Sequence, residues 1–277
     1  PGERISLCIS FDYHGPVSMA FPTAVVVHDL KFRTRPSDQS FRSRLIRDLF
    51  LHLFSVTMPS YLCISASTLK EMEVHFPRML ERSRIVGSGT LKTPRPGFRP
   101  GDALGPILSV GTTNKNKNYP TLIRAYANSG VQNPLVIVGR RGDDFDAISS
   151  LLDSYKNLDV RILHGLTDVE LDALYQDAAL CVFVSHYEGY GIPVSEAIAL
   201  GAPVICSNIP TFLDIAGNAA MYVDPYNLDG IADAIRSVLL NKEALEVMRY
   251  RSLQRAKIIS FDAAFRKIIE FATDVVS

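Results

Sequence analysis

Short runs of aliphatic and β-branched residues alternate along most of this chain with longer stretches whose apolar positions recur every three or four residues. The first kind predicts buried strands and the second amphipathic helices. A strand is expected within 19–30, where the run 23–27 ends in the polar pair His28 and Asp29. Helical spacing over 40–56 is marked by Phe41, Leu45, Leu49, Phe50 and Leu53. A strand at 61–64 precedes a helix carrying Leu69, Met72 and Phe76 on one face, with Ser65 or Ser67 as its N-cap. A short strand at 84–86 follows. Glycine and proline then crowd residues 87–106, the best domain boundary in the sequence.

Beyond that boundary the alternation becomes regular. Strands are predicted at 107–110, 135–138, 160–163, 181–184, 204–206 and 221–223. Helices are predicted from 119, at 145–152, 168–179 and 193–200, at 228–240 and 242–259, and at 265–276. Nearly all-apolar strands separated by helices imply a parallel sheet covered on both faces. Such sheets bind ligands outside the carboxyl ends of their strands. His28, Lys117 and Glu188 each lie just past a predicted strand.

Composition narrows the classes. The chain has 277 residues, 47% of them hydrophobic, enough for real cores and against disorder. With 29 basic and 29 acidic residues it lacks the basic excess of a nucleic-acid binder, so no nucleic-acid partner is expected. Cys8, Cys63, Cys181 and Cys206 form no C-x-x-C pair and sit mostly in apolar runs, which reads as reduced, buried thiols in a cytoplasmic protein. No apolar run is long enough for a membrane span, and no secretory signal is visible. The first residue is Pro1, which reads as a fragment or a processed chain. Arg33, Arg35, Arg42, Arg44 and Arg47 near Phe41, Leu45 and Ile46 read as a solvated helix face, with a peripheral contact at the inner face of the membrane as the alternative.

The chemistry concentrates at 188–196, where Glu188 and Glu196 flank a turn containing Gly189 and Gly191. Pro193 suits a first helical turn. The amides of Gly189, Tyr190, Gly191 and Ile192 at a helix N-terminus would suit a phosphate. A carboxylate only accepts hydrogen bonds, so Glu196 suits a vicinal diol such as a ribose. Glu188, on the strand side, would face the sugar. Charge spacing alone leaves a second reading open, in which Glu196 complements the helix dipole and Glu188 is a solvated loop residue.

The whole segment from Ser185 to Asn208 resembles the donor-site signature of the retaining glycosyltransferases of family 4, its stretch Glu188-Gly-Tyr-Gly-Ile-Pro-Val-Ser-Glu196-Ala-Ile-Ala-Leu-Gly201-Ala-Pro-Val204 supplying every fixed position of E-G-[FY]-G-x-P-x-x-E-A-x-A-x-G-x-P-V. The segment 109–118 is similar to that family's glycine loop, with Gly111 in the turn and Lys117 matching the lysine for the donor diphosphate. The positions where the family often carries a second basic residue are Thr112 and Asn116. Arg140 follows a strand-turn like the family's and would touch phosphate or base. The backbone near Leu163 would read the nucleobase. Val27-His28-Asp29-Leu30 resembles the H-D-[LI] turn from which His28 would reach the transferred sugar.

The resemblance implies an α/β chain of GT-B type, with two Rossmann-like parallel-sheet domains of which the amino-terminal one is incomplete. By that reading 1–86 is part of an acceptor-side domain, 87–105 a linker, 106–260 the donor domain, and 261–277 a helix returning to the first domain. It implies transfer of a hexose to a glycan or lipid-linked acceptor with retention, Glu188, His28 and Lys117 forming the catalytic set, without a metal or other cofactor. A GDP-mannose donor is expected first and a UDP-hexose second. A nucleotide-binding module without turnover is the alternative.

Overall fold

The computed structural model describes residues 6–11, 22–34, 41–57, 60–94, 103–155 and 157–276. Residues 19–21 of the predicted first strand, Arg35, and 95–102 of the predicted linker lie outside them. The chain divides into two compact units, one of 1–89 with 261–277 and one of 90–260.

The smaller unit is built from β1 (Cys8–Ser10), β2 (Thr23–Val27), α1 (Lys31–Thr34), α2 (Phe41–Thr57), β3 (Ser60–Cys63), α3 (Ala66–His75), a 3-10 stretch at Pro77–Arg82, β4 (Ser83–Ile85) and α11 (Phe261–Val276). Its four strands are parallel in the order β1-β2-β3-β4, with Val25 opposite Tyr61 and Tyr61 opposite Ser83. Every residue of β2 is buried, as its unbroken β-branched run requires. Val25, Val27, Leu30, Phe32, Tyr61 and Met72 share one core. Of the two candidate caps, Ser65 is the one that begins α3, its Oγ accepting from the Thr68 amide at 3.0 Å.

Helix α2 forms where its spacing predicts, but four of the five residues that mark the period are not its buried side. Phe41, Leu45, Leu49 and Leu53 are 43–71% exposed. Leu51 and Phe50 supply the core contact instead. Positions four apart drift round the cylinder, so one short set of apolar residues can mark either side. Asp48, between them, pairs with Arg33.

The larger unit contains β5 (Ile107–Val110), α4 (Tyr119–Ser129), β6 (Leu135–Val138), α5 (Phe145–Asp153), β7 (Val160–Leu163), α6 (Asp168–Asp177), β8 (Leu180–Phe183), α7 (Ile192–Ala199), β9 (Val204–Ser207), α8 (Pro210–Ala216), β10 (Ala220–Val223), α9 (Leu228–Leu239) and α10 (Lys242–Ala256). Its six strands are all parallel in the order β10-β9-β8-β5-β6-β7. Successive strand residues feed opposite cores. Ile107, Leu135, Leu180 and Val182 pack under α4 and α9, whereas Leu108, Val136, Cys181 and Phe183 pack under α7 and α8. Burial on both faces is why these strands read as continuous apolar runs.

Boundaries shift in places. Helix α8 has no counterpart among the predicted elements because Pro210, at its first position, marks a turn as readily as a helix start. Helix α10 stops at Ala256, short of the predicted 259, and α11 begins a turn before 265. The Thr90 amide donates to the Ile259 carbonyl at 3.1 Å, and Thr90 bridges Ser260, so the chain joins and leaves this unit at one place. All four cysteines are free thiols, three of them buried, and burial pushes Cys63 up to about 12. Among the described residues no helix is long and apolar enough to cross a membrane, and no cluster of metal-ligating side chains occurs.

Candidate functional site

Counted from β5, the larger sheet runs 3-2-1-4-5-6, so its winding reverses between β5 and β8. The loops after these two strands diverge there and leave room for a ligand. The loop after β5 carries Gly111, a 3-10 turn at Lys115–Lys117 and Asn118; the loop after β8 carries 184–191. The two are laced together. Asn116 donates from Nδ2 to the Tyr187 carbonyl at 3.1 Å, and the His186 amide donates to the Asn116 carbonyl at 2.8 Å. Asn118 donates from Nδ2 to the carbonyls of Val184 at 3.2 Å and Pro225 at 2.9 Å. Its φ of 58° is the one positive value at a non-glycine among the described residues, a conformation asparagine tolerates better than most.

At the join, Lys117 Nζ lies 2.6 Å from Glu188 Oε1, and Ser185 Oγ donates to the same oxygen at 2.7 Å. The two charged side chains are only 15% and 11% exposed, so the contact is shielded from solvent. Thr211 fixes the Glu188 backbone by donating to its carbonyl at 2.9 Å. Lys117 folds over Gly111, where an added Cβ would sit 2.9 Å from Lys117 Cε. Gly139, at the end of β6, is constrained harder: its Cβ would fall 2.0 Å from the Gly111 carbonyl oxygen. The buried Tyr119 hydroxyl, its pKa pushed well above the ordinary tyrosine value by burial, donates to that same carbonyl at 3.0 Å.

Helix α7 starts at this point. Gly191 takes φ 86°, and a Cβ there would meet Phe212 at 2.8 Å. The amides of Gly189, Gly191 and Ile192 have no acceptor among the described residues, so the positive end of the helix is open to an anion. Tyr190 packs partly against the core under α7. Glu196 accepts from the Tyr175 hydroxyl at 3.1 Å. Burial raises its pKa; the Tyr175 hydroxyl and Lys92 oppose that rise, while Asp172 and Asp168 add to it.

The structure thus brings Glu188, Lys117, Gly111 and Asn116 together, with the start of α7 and Glu196 on the same segment. Thr112 is tied through its carbonyl to the Asn114 amide at 2.7 Å. Arg140 is exposed beyond β6, its carbonyl accepting from the Thr113 amide at 3.0 Å. Leu163 ends β7, with its carbonyl taken by the Gly139 amide at 3.0 Å and its side chain against the core. His28 belongs to the smaller unit, where Nε2–H donates to the Phe11 carbonyl at 2.8 Å.

Several contributors escape a reading of the sequence. Tyr175 looks like one more core residue on a face with Leu171 and Leu174, and only its hydroxyl betrays a polar partner. Ser185 opens the segment that resembles the family signature, but its bond to the Glu188 carboxylate is not part of that pattern. Lys92 lies in the glycine- and proline-rich stretch, where no period points to a contact. The capping box of Thr167 and Glu170, by contrast, is visible as T-x-x-E.

The sequence profile Glycosyl transferases group 1 matches residues 104–255. O-antigen chain mannosyltransferase B of Escherichia coli is 32% identical over 163 residues, 57% of this chain and 43% of that protein. O-antigen chain mannosyltransferase RfbU of Salmonella typhimurium is 33% identical over 133 residues, 48% of this chain and 38% of that protein. The matches therefore span less than half the length of these curated relatives. Among solved structures, the sucrose-phosphate synthase of Thermosynechococcus elongatus has a TM-score of 0.72 at 22% identity, covering 92% of this chain and 68% of its own. Anabaena Alr3699/HepE in complex with UDP and glucose gives 0.74 at 14% identity, covering 91% and 72%. The fold is of the GT-B type these structures share.

Proposed function

The chain belongs to the group 1 glycosyl transferases, and on that premise we propose that it moves a hexose from a nucleotide diphosphate sugar to a hydroxyl of a glycan or lipid-linked acceptor, with retention at the anomeric carbon. The observation that carries this reading is the shielded Lys117–Glu188 contact where the sheet reverses, beside the open N-terminus of α7. Lys117 and the α7 amides bear the charge that develops on the departing diphosphate, a term worth about 3 kcal/mol per well-placed donor. The acceptor oxygen bonds to the anomeric carbon on the face the diphosphate leaves, and a phosphate oxygen takes the acceptor's proton. Glu188 orients the hexose hydroxyls, and Glu196 accepts from the ribose. Because a lysine and a helix end supply the positive charge, we expect transfer to survive EDTA. Activity lost to EDTA and restored by Mg²⁺ or Mn²⁺ would refute that part.

Mannose is the favoured hexose, since the two curated relatives named above are mannosyltransferases, with GDP as the nucleotide first expected to carry it; a UDP-hexose is next, since Alr3699/HepE is seen with UDP. The test is a panel of nucleotide-sugars read first by thermal shift, because a ligand of the native state raises its apparent stability, and then by transfer. GDP-mannose giving both the largest shift and turnover is expected; a panel without any shift refutes the donor site.

A second reading, a module that binds nucleotide without turnover, draws on the loop chemistry. Thr112 and Asn116 bring no second cation, and the Asn116 side chain is committed to the Tyr187 carbonyl. Calorimetric binding of GDP or UDP with neither hydrolysis nor transfer of the matching sugar would select it.

A further inference from the structure

Lys92 lies outside every motif used so far, yet it reaches the Glu196 cluster. The backbone around it is pinned, with the Thr90 amide on the Ile259 carbonyl and the Lys92 amide on Thr90 Oγ1 at 3.1 Å. From there its ammonium meets Asp172 at 2.7 Å and Asp168 at 3.7 Å, and the side chain is only 18% exposed. Burial works against the ammonium, and the carboxylates of Asp172, Glu196 and Asp168 together more than offset that, so its pKa stands above the ordinary lysine value. The groups acting on Glu196 are Tyr175, Asp172 and Asp168 from α6 and Lys92 from the segment before β5. Lys92 is the single cation among them, and it pairs with Asp172, one turn before Tyr175 on α6, whose hydroxyl holds Glu196.

We propose that Lys92 is a positioning residue for nucleotide binding, the counter-charge that lets Glu196 meet the ribose as an acceptor while Asp172 and Asp168 pair with the same ammonium. This rests on the reading of Glu196 as the ribose ligand. A carboxylate accepts from both hydroxyls of a vicinal diol, whereas a protonated acid spends one oxygen as a donor. Without Lys92, repulsion from Asp172 and Asp168 and the burial of Glu196 act in the same direction and favour the acid. Binding would then fail first at lower pH and recover as pH rises. A purely structural loss would weaken binding equally at every pH.

The test uses the full chain with Lys92→Met, Lys92→Gln and Lys92→Arg. Calorimetry with GDP and UDP is run from pH 6 to 8.5. Lys92→Met and Lys92→Gln should bind about tenfold more weakly at the acid end, the equivalent of one unit of lost ionisation, and approach the parent at the alkaline end. Lys92→Arg should follow the parent throughout. The Glu196 carboxyl is titrated in parallel by carbon-13 NMR, assigned with Glu196→Gln and without nucleotide. Its midpoint should move up in Lys92→Met and Lys92→Gln and stay in place in Lys92→Arg. An unmoved midpoint in the neutral variants, or a binding loss independent of pH, overturns the proposal. If the parent binds neither nucleotide, the donor-site reading fails, and the NMR midpoint alone decides whether Lys92 controls Glu196. Lys92→Gln, the closer match in shape, keeps the test alive should Lys92→Met not fold.

Discussion

The two parallel sheets of this chain are made of the same kind of unit and differ in one respect. The six strands of the larger unit reverse their winding between β5 and β8, whereas the four of the smaller run β1-β2-β3-β4 without a reversal. Where winding reverses, the loops on either side must part. Lys117, Glu188 and the start of α7 all gather at that point. The smaller unit offers no such point among its described strands, and its strand-end residue His28 spends its ring on the Phe11 carbonyl. The comparison teaches that this gathering of charged side chains and a helix start follows strand order more than strand composition.

The strongest way to break that comparison is kinetic. Glu188→Ala or Lys117→Ala should lower kcat by about 10²–10³, the cost of removing one well-placed group from a preorganised site. His28→Ala should cost about tenfold, less than the roughly 10²–10⁴ of a side chain that transfers a proton. Equal losses in a transfer assay would mean that the reversal does not mark the centre of the reaction.

A steric pair comes next. Gly139→Ala drives a Cβ into the Gly111 backbone and should destabilise the larger unit by about 3 kcal/mol. Gly87→Ala in the smaller unit, with φ 83° and Ala264 at an ordinary 3.8 Å, should cost about 1 kcal/mol for its left-handed backbone alone. Urea unfolding of the two variants measures the difference, and a reversed order would show that the join of the β5 and β6 loops is not tight.

Two half-buried carboxylates sharpen the contrast further. Burial raises the pKa of Glu196 in the larger unit and of Glu71 in the smaller, where the Leu30 amide opposes and Asp29 assists the rise. A raised native pKa gives a stability contribution that is full below the unfolded glutamate value and is lost as pH rises through the native one. Glu196→Gln and Glu71→Gln should therefore both melt above the parent at pH 8, with gaps that shrink towards pH 5. Only Glu196→Gln should lose nucleotide binding. A melting gap that widened on acidification would reverse the sign of the argument. Smallest of all, Leu49→Ser on the outer side of α2, 66% exposed, should change stability by less than about 0.5 kcal/mol.

Much of this was legible in the sequence because it is local. The strand run 135–138 is apolar at every position since both faces are covered, and it appears where its run predicts, whereas β8 starts one residue earlier than its run and β1 has no predicted counterpart. The signature from Glu188 to Val204 is contiguous, so its turn and helix start could be read directly. Strand order could not, because alternating strands and helices give the same pattern for a sheet that reverses and one that does not. Contacts across long sequence separation were equally hidden: Tyr175 to Glu196, Asn118 to Pro225, Lys92 to Asp172. The outer side of α2 was ambiguous for a third reason, since periodicity finds a helix but does not say which apolar stripe meets the core.

The hydrogen bond from Thr90 to Ile259, with the bridge to Ser260, has a consequence for how the molecule can be cut and rebuilt. The stretch from Thr90 to Ser260 forms a loop of chain clipped shut at its base. A clip of that kind makes the loop portable: new termini could be opened at an exposed turn such as Gly130, and the old ends at 90 and 260 joined by a short linker, without disturbing a single strand.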